Sequence, residues 1–187
     1  MKAIFTLLAV PLLTIVLAPF QASLLISSQG ENAMGFAISS SNFANGGDIP
    51  KRFTCDGGDV SPQLSWTQPP SGTQSLALVV DDPDAPAGDW THWLAFNLPP
   101  DSNGLGEDVP KIDQLAHGGY QGRNDFHRIG YGGPCPPAGK PHRYFFKLYA
   151  LDQKLNLNPG ASKRELEQAM RARHILGEAQ WMGKYGR

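Results

Sequence analysis

The stretch S-L-A-L-V-V-D-D-P-D-A-P, Ser75 to Pro86, decides how this chain folds. Its first half, Leu76-Ala77-Leu78-Val79-Val80, is apolar at every position. A short continuous run of this kind is expected of a central strand covered on both faces. Its second half sets Asp81, Asp82 and Asp84 within four residues, stiffened by Pro83 and Pro86. Carboxylates so close repel one another unless a cation lies nearby. Taken alone, such a segment is a solvated acidic turn.

Other short runs rich in Val, Leu, Phe, Tyr or Trp lie on either side: Gly35 to Ser39, Leu64 to Trp66, Trp93 to Leu98 and Tyr144 to Leu151. Each is bounded by Gly, Pro, Asn or Asp, as strands are. The spacing predicts one helix. Ser162 and Glu165 form a capping box, and Leu166, Ala169, Met170 and Arg173 follow on one face, with Gly177 as the expected stop. Ala179 to Met182 reads as a short final strand. Between the strands, residues 99–143 form a long Gly- and Pro-rich stretch, and long loops in compact domains tend to be functional.

The totals agree with a β-rich globule. With 21 Gly and 16 Pro among 187 residues, a helical bundle is disfavoured, while 41% hydrophobic residues suffice for a packed core. A net charge of −1 lacks the basic footprint of a nucleic-acid binder. Two cysteines build neither a disulfide-rich scaffold nor a four-cysteine zinc site. After Met1-Lys2, no charge appears until Glu31, and Ala3 to Phe20 is almost wholly apolar. That is the pattern of an export signal, with an uncleaved N-terminal anchor as the alternative. The expected division is therefore a signal peptide or anchor at 1–22, a linker at 23–35 and one domain at 36–187, exported to a periplasmic or extracellular space.

Three clusters carry candidate chemistry. The acidic turn is the first. His92, at the start of the following strand, is the second: a hairpin returning from Asp82 brings it close, and a neighbouring carboxylate favours the imidazolium. The third runs from Gly130-Tyr131-Gly132-Gly133-Pro134-Cys135-Pro136-Pro137 to His142-Arg143-Tyr144. Glycines there are expected to offer backbone N–H groups to an anion, and His142 and Tyr144, two apart, share a strand face. No nucleotide P-loop pattern is present. Together the clusters describe a small pocket at strand ends that suits a phosphate or carboxylate. Arg123, Asn124, Asp125 and Arg128 are expected to brace the glycine loop, and Trp90 to stand beside the site.

The runs D-P-D-A-P at 82–86, T-H-W-L-A-F-N-L-P at 91–99 and G-Y-G-G-P-C-P-P with H-R-Y-F-F at 130–146 resemble the phosphatidylethanolamine-binding protein family. F-T-C-D-G at 53–57 and S-P-Q-L-S-W at 61–66 are similar to its bacterial and archaeal, Raf kinase inhibitor-like branch. The resemblance covers about residues 36–187. It implies a mainly β fold, a large antiparallel sheet packed on a smaller one, with one or two helices near the C-terminus. It also implies an anion pocket formed by Asp82, His92, His142 and Tyr144, with Asp84 and Pro86 at the rim and Gly133, Pro134, Pro136 and Pro137 as the opposite wall.

The function expected is a non-catalytic binding protein for a small anion or phospholipid head group, with no cofactor and no metal. The alternative is inhibition of a protease or kinase through the loops around the pocket. Hydrolysis by Asp82, His92 and His142 is a third reading, with no activated Ser in evidence. Cys55 and Cys135 are expected to pair, because export would carry them to an oxidising compartment.

Overall fold

The computed structural model describes residues 35–171 and 174–187. The signal or anchor expected at 1–22, most of the linker and Arg173 lie outside the described residues. In chain order the elements are β1 (Ile38–Ser39), β2 (Leu64–Trp66), β3 (Ser75–Asp82), β4 (Trp90–Leu98), β5 (Gly104–Leu105), β6 (Tyr120–Gln121), β7 (His142–Leu151), α1 (Lys163–Met170) and β8 (Ile175–Tyr185). Two antiparallel sheets result, one of three strands ordered β1-β2-β5 and one of five ordered β6-β4-β3-β7-β8.

The strand β3 lies at the centre of the larger sheet, and all eight of its residues are buried. Leu76, Leu78 and Val80 enter a core shared with Ile38, Leu64 and Trp66 of the smaller sheet. Ala77 and Val79 enter a second core, closed by Leu166 and Met170 of α1. The continuous apolar run is thus covered by a sheet on one side and a helix on the other. Burying a side chain such as Leu166 stabilises the fold by about 2 kcal/mol.

The helix begins as its capping box predicts. The Ser162 hydroxyl accepts from the Glu165 backbone N–H, and the Glu165 carboxylate accepts from the Ser162 N–H at 2.8 Å. It ends at Met170 rather than running toward Gly177. Gly177 belongs to β8, opposite Ala150 of β7. A Cβ on Gly177 would meet Pro70 at 2.9 Å, so this glycine serves close packing and not helix termination. The strand expected over Ala179 to Met182 is in fact the middle of an 11-residue strand.

Candidate functional site

The three carboxylates of the acidic turn go three different ways. Asp81 points toward α1, where Lys147 and Lys163 each lie 2.8 Å from its Oδ2. Asp82, on the other side of β3, accepts a hydrogen bond from His142 Nδ1 at 2.7 Å and another from the Asp84 N–H at 2.8 Å. Asp84 accepts from Arg143 through the guanidinium at 2.7 and 2.8 Å and through the backbone N–H at 3.0 Å. That guanidinium, more than any other influence, holds the Asp84 carboxyl down at about 2. Each negative charge has its own cation or imidazole, which resolves the repulsion inherent in the sequence.

A β-bulge aims His92. Val80 of β3 pairs with Trp93 of β4, but Asp81 pairs with Thr91, so His92 is the unpaired residue between them. Without the bulge, alternation would send His92 to the α1 face with Leu94 and Phe96. With it, the ring turns to the face that carries Tyr144. There it sits edge-on to Tyr144 (centroids 5.1 Å apart) and to Phe126 (5.4 Å). Its Nδ1 lies 2.7 Å from the Gly132 carbonyl, which can only accept, so Nδ1 carries the proton and Nε2 is left as an acceptor.

His92 is therefore not the imidazolium expected from its proximity to Asp82. Burial lowers its pKa and outweighs the carbonyl and carboxylates that pull it up, and Asp82 is committed to His142 instead. Tyr144 is buried, and its hydroxyl faces Asp82 without the geometry of a hydrogen bond, leaving it with no protein partner. Burial, then the Asp82 charge, raises the phenol far above its ordinary range. The Trp90 indole N–H is likewise buried and unpartnered.

These groups border a cleft of about 310 Å³, lined by Asp82, Pro86, Trp90, His92, Phe126 and His142, with Cys135, Pro136 and Pro137 on the facing wall. A hollow of about 650 Å³ between Trp66–Thr73 and Pro100–Asn103 is larger, but Asp101 is its only ionisable lining residue. Of the residues singled out in the sequence, Asp82, Pro86, His92, Pro136, Pro137 and His142 meet at the cleft. Tyr144 lies against His92. Asp84 instead borders an adjoining hollow with Lys140. Gly133 and Pro134 lie behind the wall. The Gly133 N–H donates to Asp59 Oδ1 at 2.6 Å, and the Pro134 carbonyl accepts from the Cys55 N–H at 3.1 Å.

The glycine loop thus spends its amides on the protein itself: the Gly132 N–H also goes to the His92 carbonyl at 2.8 Å. Its glycines are required by space, since a Cβ on Gly132 would strike Phe126 at 2.6 Å. The bracing role assigned to residues 123–128 falls chiefly to Asn124, whose side chain bonds the Gly130 carbonyl and the Arg128 N–H, and to Asp125, which binds the Thr91 N–H at 2.6 Å. Phe126 was not anticipated. Its signal was a lone aromatic within the polar run R-N-D-F-H-R. Among the described residues no group of three or more His, Cys, Asp or Glu side chains is placed to hold a metal ion.

Cys55 and Cys135 form a disulfide, with Cα atoms 5.4 Å apart. The bond ties the 51–58 segment to the cleft wall, as the sequence led us to expect.

Comparison with known proteins bears on this arrangement. The family model for phosphatidylethanolamine-binding protein matches residues 39–186. A UPF0098 protein from Methanothermobacter thermautotrophicus is 56% identical over 145 residues, covering 78% of this chain and 95% of that protein. Another, from Aquifex aeolicus, is 49% identical and covers 80% and 88%. Among solved structures, Escherichia coli YbcL, described as a member of the mammalian PEBP family, superposes with a TM-score of 0.76 at 34% identity. It covers 81% of this chain and 98% of its own. A Chlamydia trachomatis homologue superposes at 0.74 with 39% identity, covering 82% and 98%.

Proposed function

The chain belongs to the phosphatidylethanolamine-binding protein family, and from that premise we propose that it is a non-catalytic binding protein whose cleft takes a phosphate-bearing head group or a similar small anion. The observation that carries this reading is the pair of buried donors without protein partners, the Tyr144 hydroxyl and the Trp90 N–H, at the site of the Asp82–His142 pair. Leaving a buried donor unsatisfied costs about 1–3 kcal/mol. A ligand oxygen that accepts from either would recover that cost.

The protonation of the site shapes what binds. His142 gives its Nδ1–H to Asp82, and its ring lines the cleft. His92 offers an acceptor, so a phosphate suits it best as the monoanion, with P–OH donating to Nε2 and the charged oxygens accepting from the remaining donors. A phosphate ester loses that second proton near pH ~6. Affinity is therefore highest in mild acid and falls as pH rises. Calorimetric titration of the full chain with phosphate and phosphorylethanolamine at pH 6 and pH 8 tests this. Binding that weakens at the higher pH and disappears in His92→Ala and His142→Ala is the expected result. Absence of binding at both would remove the anion reading.

A second reading is inhibition of a protease or kinase. It is favoured by the rim segment Pro137 to Pro141, exposed at all five positions beside the cleft. We further propose export, supported by Lys2 with the apolar run behind it and by the disulfide.

A further inference from the structure

We propose that the Cys55–Cys135 bond is a thiol-exchange site, opened by a dithiol reductant that attacks Cys135 and expels Cys55, and that this exchange resets the wall of the ligand cleft. Both cysteines are exposed, and Cys135 borders the cleft between Pro134 and Pro136. Disulfides that serve stability alone are generally resistant to reduction, whereas exposed ones are the exchangeable class.

The surroundings of the two sulfurs set the direction of attack. Arg187 Nη2 stands 3.1 Å from Cys55 Sγ. It is held there by Asp56, through Nε at 2.9 Å and Nη2 at 2.7 Å, and the Tyr185 hydroxyl donates to the same carboxylate at 2.7 Å. A guanidinium beside a departing sulfur stabilises the thiolate, and a better-stabilised thiolate leaves faster. Among the described residues no cation is placed in this way at Cys135, so Cys135 is the sulfur attacked and Cys55 the leaving group. Arg187 Nη1 also approaches the Pro136 carbonyl at 3.5 Å, so the group that receives the thiolate touches the cleft wall as well.

The exchange balances as follows. One thiolate of the reductant attacks Cys135 Sγ, a new S–S bond forms, and the pair from the broken bond departs on Cys55 Sγ. The reductant's second thiolate then attacks its own sulfur in this mixed disulfide and releases Cys135. The two protons given up by the dithiol finish on the two cysteines, the dithiol becomes a cyclic disulfide, and two electrons have passed to the protein. Residues 131–134 stay docked meanwhile, so the reset is confined to the cleft-lining Cys135, Pro136 and Pro137. The Cys55 N–H still donates to Pro134, the Gly133 N–H to Asp59, and the Tyr131 hydroxyl to the Phe53 carbonyl at 2.7 Å.

The effect on ligand rests on the phosphate reading, but the exchange itself does not. The test treats the folded full chain with dithiothreitol, without denaturant, traps free thiols with iodoacetamide and follows mass and tryptophan fluorescence. Expected are two alkylated cysteines with a native spectrum, about fivefold slower reduction in Arg187→Gln, and capture of the mixed disulfide at Cys135 rather than Cys55. Cysteines that stay protected until urea unfolds the chain, or an Arg187→Gln variant reduced at the unaltered rate, would overturn the proposal. Phosphate titration of both forms supplies the second arm. An affinity change of at least about threefold on reduction is expected, and equal affinities would sever the link to the cleft. Native-state reduction with no phosphate binding in either form would retire the phosphate reading and leave the exchange site standing.

Discussion

Asp81 and Asp82 are consecutive residues on one strand, both buried, yet they belong to different parts of the molecule. Asp81 turns to the helix side and is gripped by two lysines, one from β7 and one from the first position of α1. Asp82 turns to the cleft and meets an imidazole and a backbone amide. A lysine ammonium only donates, whereas an imidazole that gives one ring N–H keeps its second nitrogen for another group. The same carboxylate chemistry thus fastens a helix on one face and orients a ring of the cleft on the other. The difference lies in the partner and not in the acid.

The comparison breaks most visibly at Asp81. Asp81→Asn leaves Lys147 without its counter-charge and Lys163 with Asp89 and Glu167 alone, and unfolding free energy measured in urea is expected to fall by about 2 kcal/mol. Phosphate affinity should stay where it was. On the other face the pattern reverses. Asp82→Asn keeps a hydrogen bond to His142 and costs only about 1 kcal/mol of stability, yet calorimetry should record at least about tenfold weaker phosphate binding.

Acid sharpens the contrast further. Burial lowers the folded-state pKa of His92 below 6.5, so on the acid side of that value the unfolded chain takes up a proton that the folded chain refuses. Its contribution is therefore complete above pH 6.5 and declines as pH falls below it. Urea midpoints measured on either side of pH 6.5 should drop toward acid, and His92→Gln should flatten that slope. The smallest effect is expected at Arg143, an exposed partner screened by solvent. Asp84 is held at about 2 against an ordinary 3.8, so the difference between the native chain and Arg143→Gln should persist above pH 3.8 and close as pH falls to about 2. Acid titration at low salt would show it.

The central strand and the helix start were legible because each follows from local chemistry. A continuous apolar run needs cover on both sides, and a Ser–Glu box caps a helix wherever it lies. The full length of β8 was hidden. Glu178, Gln180 and Lys184 are exposed, and Gly177 and Gly183 add no apolar signal, so that strand is defined by ladder pairing with β7 and by backbone bonds to residues 46–49. The strand β1 lies inside the Gly35 to Ser39 run, whereas the two-residue strands β5 and β6 carry no periodicity to read. At the site, the residue types and their convergence could be named, but the bulge that aims His92 arises between strands. The neutrality of His92 is a contest between burial and attraction, and only the folded surroundings decide it. The glycine loop misled for a similar reason: whether an amide is free depends on residues such as Asp59, 74 positions away.

The strand β3 has one further consequence. Its apolar run is acceptable to both cores, so sliding it by a single residue would cost little in hydrophobic terms: Leu, Ala and Val suit either side. The frame is set instead by its last two residues. A slip of one that brings Asp82 to the lysines would put Asp81 in the apolar place of Val80 and Pro83 before the histidine, and would carry the Val80–Asp81 irregularity out of step with His92. The pair of acids is in this sense a reading-frame mark for the sheet, and misalignment of the central strand and loss of the cleft are one event.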